Sequence, residues 1–83
     1  MRLVPVVSSM LIALGWEPAG DEVGSDGFMI AQFSETSFYR YEEVPASYAA
    51  RVIFAESVGK AFTQYIKNGN FSYRKVSVEE VFS

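Results

Sequence analysis

Two neighbouring stretches of the chain alternate their side chains with the period of a β-strand. Phe28–Phe33 alternates along its whole length, and Phe38–Glu42 places Tyr39 and Tyr41 on one face with the residues between them on the other. Ser34–Ser37 is a short turn-forming segment between the two stretches. We therefore predict an antiparallel hairpin in which Phe38–Glu42 is the central strand of a sheet.

Further strands are predicted on either side of this hairpin. Ser9–Trp16 could form a helical turn or a strand, and a strand is favoured because its even-numbered apolar residues would then share a face with Trp16. Phe71–Val76 alternates again and is predicted to close the sheet. Between the first strand and the hairpin, Pro18–Gly27 has three glycines and three acids with little to bury, which indicates a solvated loop.

After Pro45 the pattern changes to the period of a helix. Ala46–Ser57 shows helical spacing, and a second helical segment follows, with Ser57 as its N-cap and Asn68-Gly69 as its left-handed end. Gly59 lowers the helix propensity near the start of the second helix. It therefore indicates a bend, or the close approach of another part of the backbone.

Residues 1–83 are predicted to form one α+β domain, because 83 residues leave room for one hydrophobic core. The predicted fold is a small antiparallel sheet of three or four strands packed against two short consecutive helices. Residues 18–27 form an acidic loop in this interpretation. Residues 77–83 form a short amphipathic tail that could pack on the core or on a second copy of the chain.

The chain contains no cysteine and no histidine, which removes thiol nucleophiles, disulfides, imidazole bases and almost every zinc, copper or haem site. The spacing of its ten carboxylates marks no two of them as an acid–base pair. Ser8 or Ser9 would lack a base to activate it as a nucleophile, so a turn-forming role is favoured for both. We expect neither an enzyme nor a bound metal or cofactor.

Charge is distributed unevenly along the chain. The net charge of -3 argues against non-specific binding of duplex nucleic acid, which needs a surplus of lysine and arginine. Residues 1–56 contain eight acidic and three basic residues, whereas residues 57–83 contain four basic and two acidic ones. The C-terminal part is therefore the basic part.

Nothing in the hydropathy pattern indicates a membrane partner. No apolar run approaches the length that spans a bilayer. The N-terminal residues have a single positive charge and no convincing cleavage site, so a signal peptide is rejected. A cytoplasmic location is expected.

Short motifs occur in a characteristic order across most of the chain. They are Ser8-Ser9, Leu11, Leu14-Gly15-Trp16-Glu17, Met29, Ala31, Phe33, Tyr39-Arg40-Tyr41, Val44-Pro45, Ala55-Glu56-Ser57, Gly59, Phe62, Ile66 and Tyr73. In this order and spacing they resemble the KTSC domain family. That small domain is named for its occurrence at the C-terminus of some lysyl-tRNA synthetases, and it is also found as free-standing bacterial or phage proteins.

The chain departs from the family pattern at Thr36, Ala49 and Thr63, where the family usually has glycine, an aromatic residue and asparagine. Its Pro18–Gly27 connection is also longer than usual. These differences affect turns and surface more than core. The family has no established function and RNA binding is only suggested for it, so the resemblance implies RNA as a candidate ligand.

Aromatic and basic residues on the sheet and the second helix are the candidate nucleic-acid-binding residues, since aromatic rings stack on bases and cations contact phosphates. The predicted set is Tyr39, Arg40, Tyr41, Lys60, Lys67, Arg74 and Lys75. The alternative is that Tyr39 and Tyr41 belong to the core beneath the helices, and this alternative is favoured. Ser57–Lys60 at the helix start could also receive a phosphate, but a structural cap is the favoured interpretation there.

The predicted function is a small non-catalytic binding module for single-stranded RNA or tRNA. The first alternative is a protein-interaction module, such as a phage-encoded modulator of a host protein, that uses the aromatic surface and the acidic loop. The second alternative is an oligomeric binder of small nucleotides.

Overall fold

The computed structural model describes residues 1–20 and 26–82, so the central part of the predicted acidic loop lies outside the described residues. The sheet is an antiparallel meander in which each strand pairs with the next along the chain. Its strands are β1 (Val4–Pro5), β2 (Ala13–Pro18), β3 (Gly27–Gln32), β4 (Phe38–Val44) and β5 (Tyr73–Val76). The predicted α+β class is confirmed. The fifth strand, beyond the three or four expected, is the two-residue β1 paired with β2.

Short helical segments connect and follow the later strands. They are α1 (Ala46–Ile53), α2 (Val58–Phe62), which continues as a π-helical turn (Thr63–Lys67), and α3 (Val78–Phe82). Ser57 caps α2 as predicted, since its Oγ accepts a hydrogen bond from the Lys60 backbone N–H at 3.4 Å. The predicted left-handed end at Asn68-Gly69 is wrong: Asn68 has φ -95°, and the left-handed residue is Asn70, with φ 62°.

The helices α1 and α2 cover one face of the sheet, which we call the helix-covered face. Tyr39 and Tyr41 of β4 lie on this face, and the register places Tyr39 beside Ala31 of β3 and, one strand further, Leu14 of β2. The main core lies between these strands and the helices. It consists of Leu11, Leu14, Met29, Ala31, Tyr41, Val44, Ala49, Val52, Ala61, Phe62 and Ile66.

A bulge in β4 adjusts which residues reach this core. Gly27 pairs with Val44 and Met29 pairs with Tyr41, so two residues of β4 oppose a single residue of β3. Glu43 within the bulge has φ 54°, in the left-handed region. The extra residue brings Val44 back to the helix-covered face, where it is fully buried.

The indole of Trp16 ties β2 to the end of β4. Its Nε1–H donates a hydrogen bond to the Val44 carbonyl at 2.9 Å, across the intervening strand β3. The glycine at position 27 leaves room for the indole, because a Cβ there would lie 2.7 Å from the Trp16 ring. The Trp16 side chain thus fixes the strand just before α1 begins.

The N-terminal residues and α3 cover the other face of the sheet, which we call the opposite face. A second, smaller core lies there, formed by Ile30, Phe38, Val76 and Val81. The predicted amphipathic tail therefore packs on this chain's own core, through the buried Val81 of α3. Gly15 permits the N-terminal segment to cross the sheet closely, since a Cβ there would lie 2.6 Å from a Leu3 methyl carbon.

Candidate functional site

The predicted nucleic-acid-binding residues fall in three different places. Four of them lie on the helix-covered face: Tyr39, Tyr41, Lys67 and Lys75. Lys60 lies beside a polar trough on α2. Arg40 and Arg74 lie on the opposite face. The alternation of strands explains the division, because consecutive residues of β4 and of β5 point to opposite sides of the sheet. The seven residues therefore do not form one surface.

An open groove of about 580 Å³ lies between the end of the π-helical turn and strands β4 and β5, and we call it the aromatic groove. Its lining residues are Phe33, Ser37, Tyr39, Tyr41, Lys67, Asn68 and Tyr73. The groove begins where the cover provided by the helices ends. Within the described parts of the chain, no carboxylate lines it.

The aromatic rings of this groove are packed on one another. Tyr41 is only 6% exposed and stacks on Tyr73, with ring centroids 5.4 Å apart and an interplanar angle of 29°. Tyr39 is half-buried, with its ring edge-on to Phe33 at 5.6 Å and 6.2 Å from Tyr73. Burial raises the pKa of the Tyr41 phenol, and the nearby phenols of Tyr73 and Tyr39 raise this pKa further.

Tyr73 is the exposed ring of the groove, at 63% exposure, and it is not among the seven predicted residues. Tyr41 belongs to the core, as the favoured interpretation held. The alternation of Phe71–Val76 identifies Tyr73 as a strand residue, but sequence spacing alone does not place β5 at the sheet edge, where its ring is left uncovered. That position depends on which strands pair.

Two lysines supply positive charge at the aromatic groove. Lys67 lines it at the end of the π-helical turn. Lys75 pairs with Tyr39 in the register of β4 and β5, so it stands on the same face, next to the groove. Among the residues that the structure describes, neither lysine forms an ion pair.

The arginines of the opposite face are already engaged by acids. Arg40 Nε lies 2.7 Å from Glu42 Oε2, and its guanidinium lies over the Phe28 ring at 3.8 Å. Arg74 Nη2 lies 2.7 Å from Glu80 Oε2. This hydrogen bond raises the pKa of Arg74 and lowers the pKa of Glu80.

A polar trough, also of about 580 Å³, runs along α2 on the other side of Asn68, and we call it the hydroxyl trough. It is lined by Val7, Ser8, Ser9, Met10, Ser57, Gly59, Lys60, Thr63, Gln64 and Asn68. Ser8 has the turn-forming role expected of it, since its Oγ accepts the backbone N–H groups of Met10 and Leu11. The close approach predicted at Gly59 is also found, although the neighbour is the Ser8 side chain: a Cβ at position 59 would lie 2.8 Å from Ser8 Oγ.

The described residues contain neither a cluster of metal-ligating side chains nor a membrane-spanning helix. Among residues 1–20 and 26–82, no three acidic, histidine or cysteine side chains are grouped so that they could hold a metal ion. No helix in the same part of the chain has the length and apolar character needed to cross a membrane.

Comparison with known proteins gives consistent matches over most of the chain. A model of the KTSC domain matches residues 7–71. An uncharacterised protein of Stutzerimonas stutzeri (strain A1501) is 30% identical over 76 residues, which cover 92% of this chain and 99% of that protein. The crystal structure of a KTSC domain protein from Yersinia pestis is similar with a TM-score of 0.73 and 28% identity, and the match covers 92% of this chain and 97% of that one.

Proposed function

The chain belongs to the KTSC domain family, and from this premise we propose that it is a cytoplasmic, non-catalytic binding module whose aromatic groove binds single-stranded RNA or an unpaired part of a tRNA. One observation carries the proposal. The groove exposes an aromatic ring beside a lysine, and its described lining residues include no carboxylate. These are the groups that contact bases and phosphates in proteins that bind single strands.

Neighbouring rings restrict the exposed ring of Tyr73 in the absence of a ligand. Tyr41 lies beneath Tyr73 at 5.4 Å, and Tyr39 lies beside it, so the Tyr73 side chain has neighbours that restrict its rotation. A ring that is already ordered loses less entropy when a base stacks on it. Stacking of one base on an aromatic side chain contributes about 1 to 3 kcal/mol.

The same surface favours a single strand over a duplex. Stacking on Tyr73 requires an unpaired base, because a base inside a duplex has no free face. The positive charge at the groove comes from Lys67 and Lys75, while the chain as a whole is negative. Binding is therefore expected to be local and to weaken as the salt concentration rises.

The proposal is tested by fluorescence anisotropy of a labelled oligouridine at low salt, with Tyr73→Ala as the test variant. We expect Tyr73→Ala to weaken binding about tenfold through the lost stacking. Tyr73→Phe is the matched control, since it keeps the ring and should bind as the wild type does. Circular dichroism of each variant verifies that it folds.

Two outcomes would contradict the proposal. The first is no binding by the wild-type chain at low salt, where electrostatic attraction is least screened. The second is equal affinity of Tyr73→Ala and the wild type, which would mean that RNA binds elsewhere.

The competing function, a protein-interaction module, is favoured by the position of β5. This strand is last in the sheet, so its outer edge has no neighbouring strand among the described residues. Such an edge can accept an extended segment of a partner protein through backbone hydrogen bonds. A failure of the RNA test at low salt would make this the stronger of the two functions.

A further inference from the structure

The aromatic groove and the hydroxyl trough meet at Asn68, which lines both of them. Lys60 of α2, Gln64 of the π-helical turn and Asn68 just after it all line the hydroxyl trough, so they form one polar stripe that ends at the aromatic groove. At the α-helical rise, eight residues would span about 12 Å, so the stripe is no longer than about three stacked nucleotides. A strand that leaves the groove at Asn68 can therefore follow the stripe to Lys60.

The hydroxyl trough is rich in hydrogen-bond donors. Ser8 Oγ accepts two backbone N–H groups at 3.1 and 3.2 Å, and Ser57 Oγ accepts one at 3.4 Å. A hydroxyl group that only accepts keeps its own proton for a ligand. The Thr63 hydroxyl differs, because it donates its proton to the Gly59 carbonyl at 3.0 Å. Lys60 adds an ammonium group with three donors.

The charge of the trough points to an anionic ligand. Its described lining residues include Lys60 and no carboxylate. The pocket of about 160 Å³ beside Arg40, by contrast, is also lined by Glu17 and Glu80. A donor-rich trough with one uncompensated cation suits a phosphate group, and it suits a cationic ligand poorly.

We propose that the hydroxyl trough is a phosphate subsite for the same strand. A backbone phosphate of the RNA is held by Lys60 with the hydroxyl groups of Ser8 and Ser57, while bases about three nucleotides away in the same strand stack in the aromatic groove. This inference rests on the proposed function. The inference also gives the bound RNA a path, which runs from Tyr73 past Asn68 to Lys60.

The subsite makes affinity depend on the length of the strand. A dinucleotide fills the aromatic groove alone, whereas longer strands also reach Lys60. Oligouridines of two, four, six and eight nucleotides would be titrated against the wild type and Lys60→Gln. We expect equal affinity of both proteins for the dinucleotide and a loss of about fivefold in Lys60→Gln for the longest strand, together with a fall of about 0.7 in the slope of log K against log salt.

Two further variants define the path. Gln64→Glu adds a carboxylate to the polar stripe, and among residues 1–20 and 26–82 the Gln64 side chain makes no hydrogen bond that the change would remove. It should weaken binding of the longer strands more than Lys60→Gln does. Arg51→Gln removes an exposed cation of α1 that lines neither site, and it should bind every length as the wild type does.

The results separate this inference from the proposal it rests on. If Lys60→Gln and Gln64→Glu bind every length as the wild type does while Tyr73→Ala binds weakly, the phosphate subsite is wrong and the aromatic groove stands. If Tyr73→Ala also binds as the wild type does, or if no strand binds, the proposed function is wrong and the subsite falls with it.

Discussion

The two faces of the sheet use the same strands for different purposes. On the helix-covered face, β4 contributes Tyr39 and Tyr41 to a layer of rings that begins in the main core and continues beyond the helices to the exposed Tyr73. On the opposite face, the same strand contributes Phe38 to a small core and Arg40 to an ion pair. One face ends in an open aromatic surface and the other in paired charges.

The two faces also differ in whether their cations are paired with carboxylates. Arg74 and Lys75 are adjacent in the sequence, yet Arg74 meets Glu80 and Lys75 stands beside Tyr39 with no ion pair among the described residues. A cation that already has a carboxylate partner gains less from a phosphate, because the existing pair must first be broken. The two faces therefore differ in what they can bind, although adjacent residues of the same strand give each face a positive charge.

The largest expected effect is a loss of unfolding free energy, and Phe62→Ala and Phe38→Ala compare this loss between the two cores. Both rings are fully buried, so each substitution should cost about 3 to 5 kcal/mol of unfolding free energy. Phe62→Ala should cost more, because Phe62 packs edge-on against Tyr41 and Phe33 inside the main core. Phe38 packs against Phe82, which is 51% exposed and can move into the space left by the ring. Urea denaturation followed by circular dichroism gives both values.

Phe62→Leu and Phe38→Leu are the matched milder pair if the alanine variants do not fold. An equal or greater cost at Phe38 would contradict this ranking of the two cores. It would show that the short helix α3 is held as firmly as α1 and α2 are.

Local patterns in the sequence predict most of the fold. The alternation of Phe28–Phe33 and Phe38–Glu42 predicts the hairpin of β3 and β4, and the change to helical spacing after Pro45 predicts the start of α1. The N-cap at Ser57 is also predicted correctly, because a cap depends on residues close to one another in the chain. These features are determined by residues that lie close to one another in the sequence.

Features set by distant residues could not be predicted in the same way. The bulge at Glu43 has no glycine or asparagine that would indicate it in the sequence. Beside it, the Val44 carbonyl accepts a hydrogen bond from the Trp16 indole, which belongs to a strand distant in the sequence. The candidate site has the same limitation. Sequence spacing placed Arg40 and Lys67 in one predicted set, whereas the sheet separates them, and it did not select Tyr73 because its exposure depends on strand order.

A smaller effect is expected from high pH, and it should act on the helix-covered face. Burial and two nearby phenols raise the pKa of Tyr41 above its ordinary value of 10.0. The folded state then holds the phenol proton more tightly than the unfolded state does. The stability that this proton provides is complete below pH 10 and is lost as the pH rises through the folded-state pKa.

Urea midpoints measured from about pH 8 to about pH 11 test this expectation. The midpoint of Tyr41→Phe should fall less over that range than the midpoint of the wild type, because phenylalanine has no proton to lose. A parallel series with Tyr65→Phe measures the contribution of a tyrosine outside the groove. Identical curves for the wild type and Tyr41→Phe would show that Tyr41 does not couple ionisation to folding.

The smallest expected effect is on the salt dependence of RNA binding, and it should differ between the two adjacent cations of β5 because they lie on opposite faces of the sheet. Lys75→Gln should reduce the slope of log K against log salt for oligouridine binding by about 0.7, the change expected when one phosphate contact to a single strand is lost. Arg74→Gln should leave the slope unchanged, since Arg74 lies on the opposite face and is held by Glu80. The two variants remove the same charge at neighbouring positions, so an overall change in net charge affects both alike. An equal reduction in both slopes would mean that RNA responds to the charge of the whole chain and does not recognise one face of its sheet.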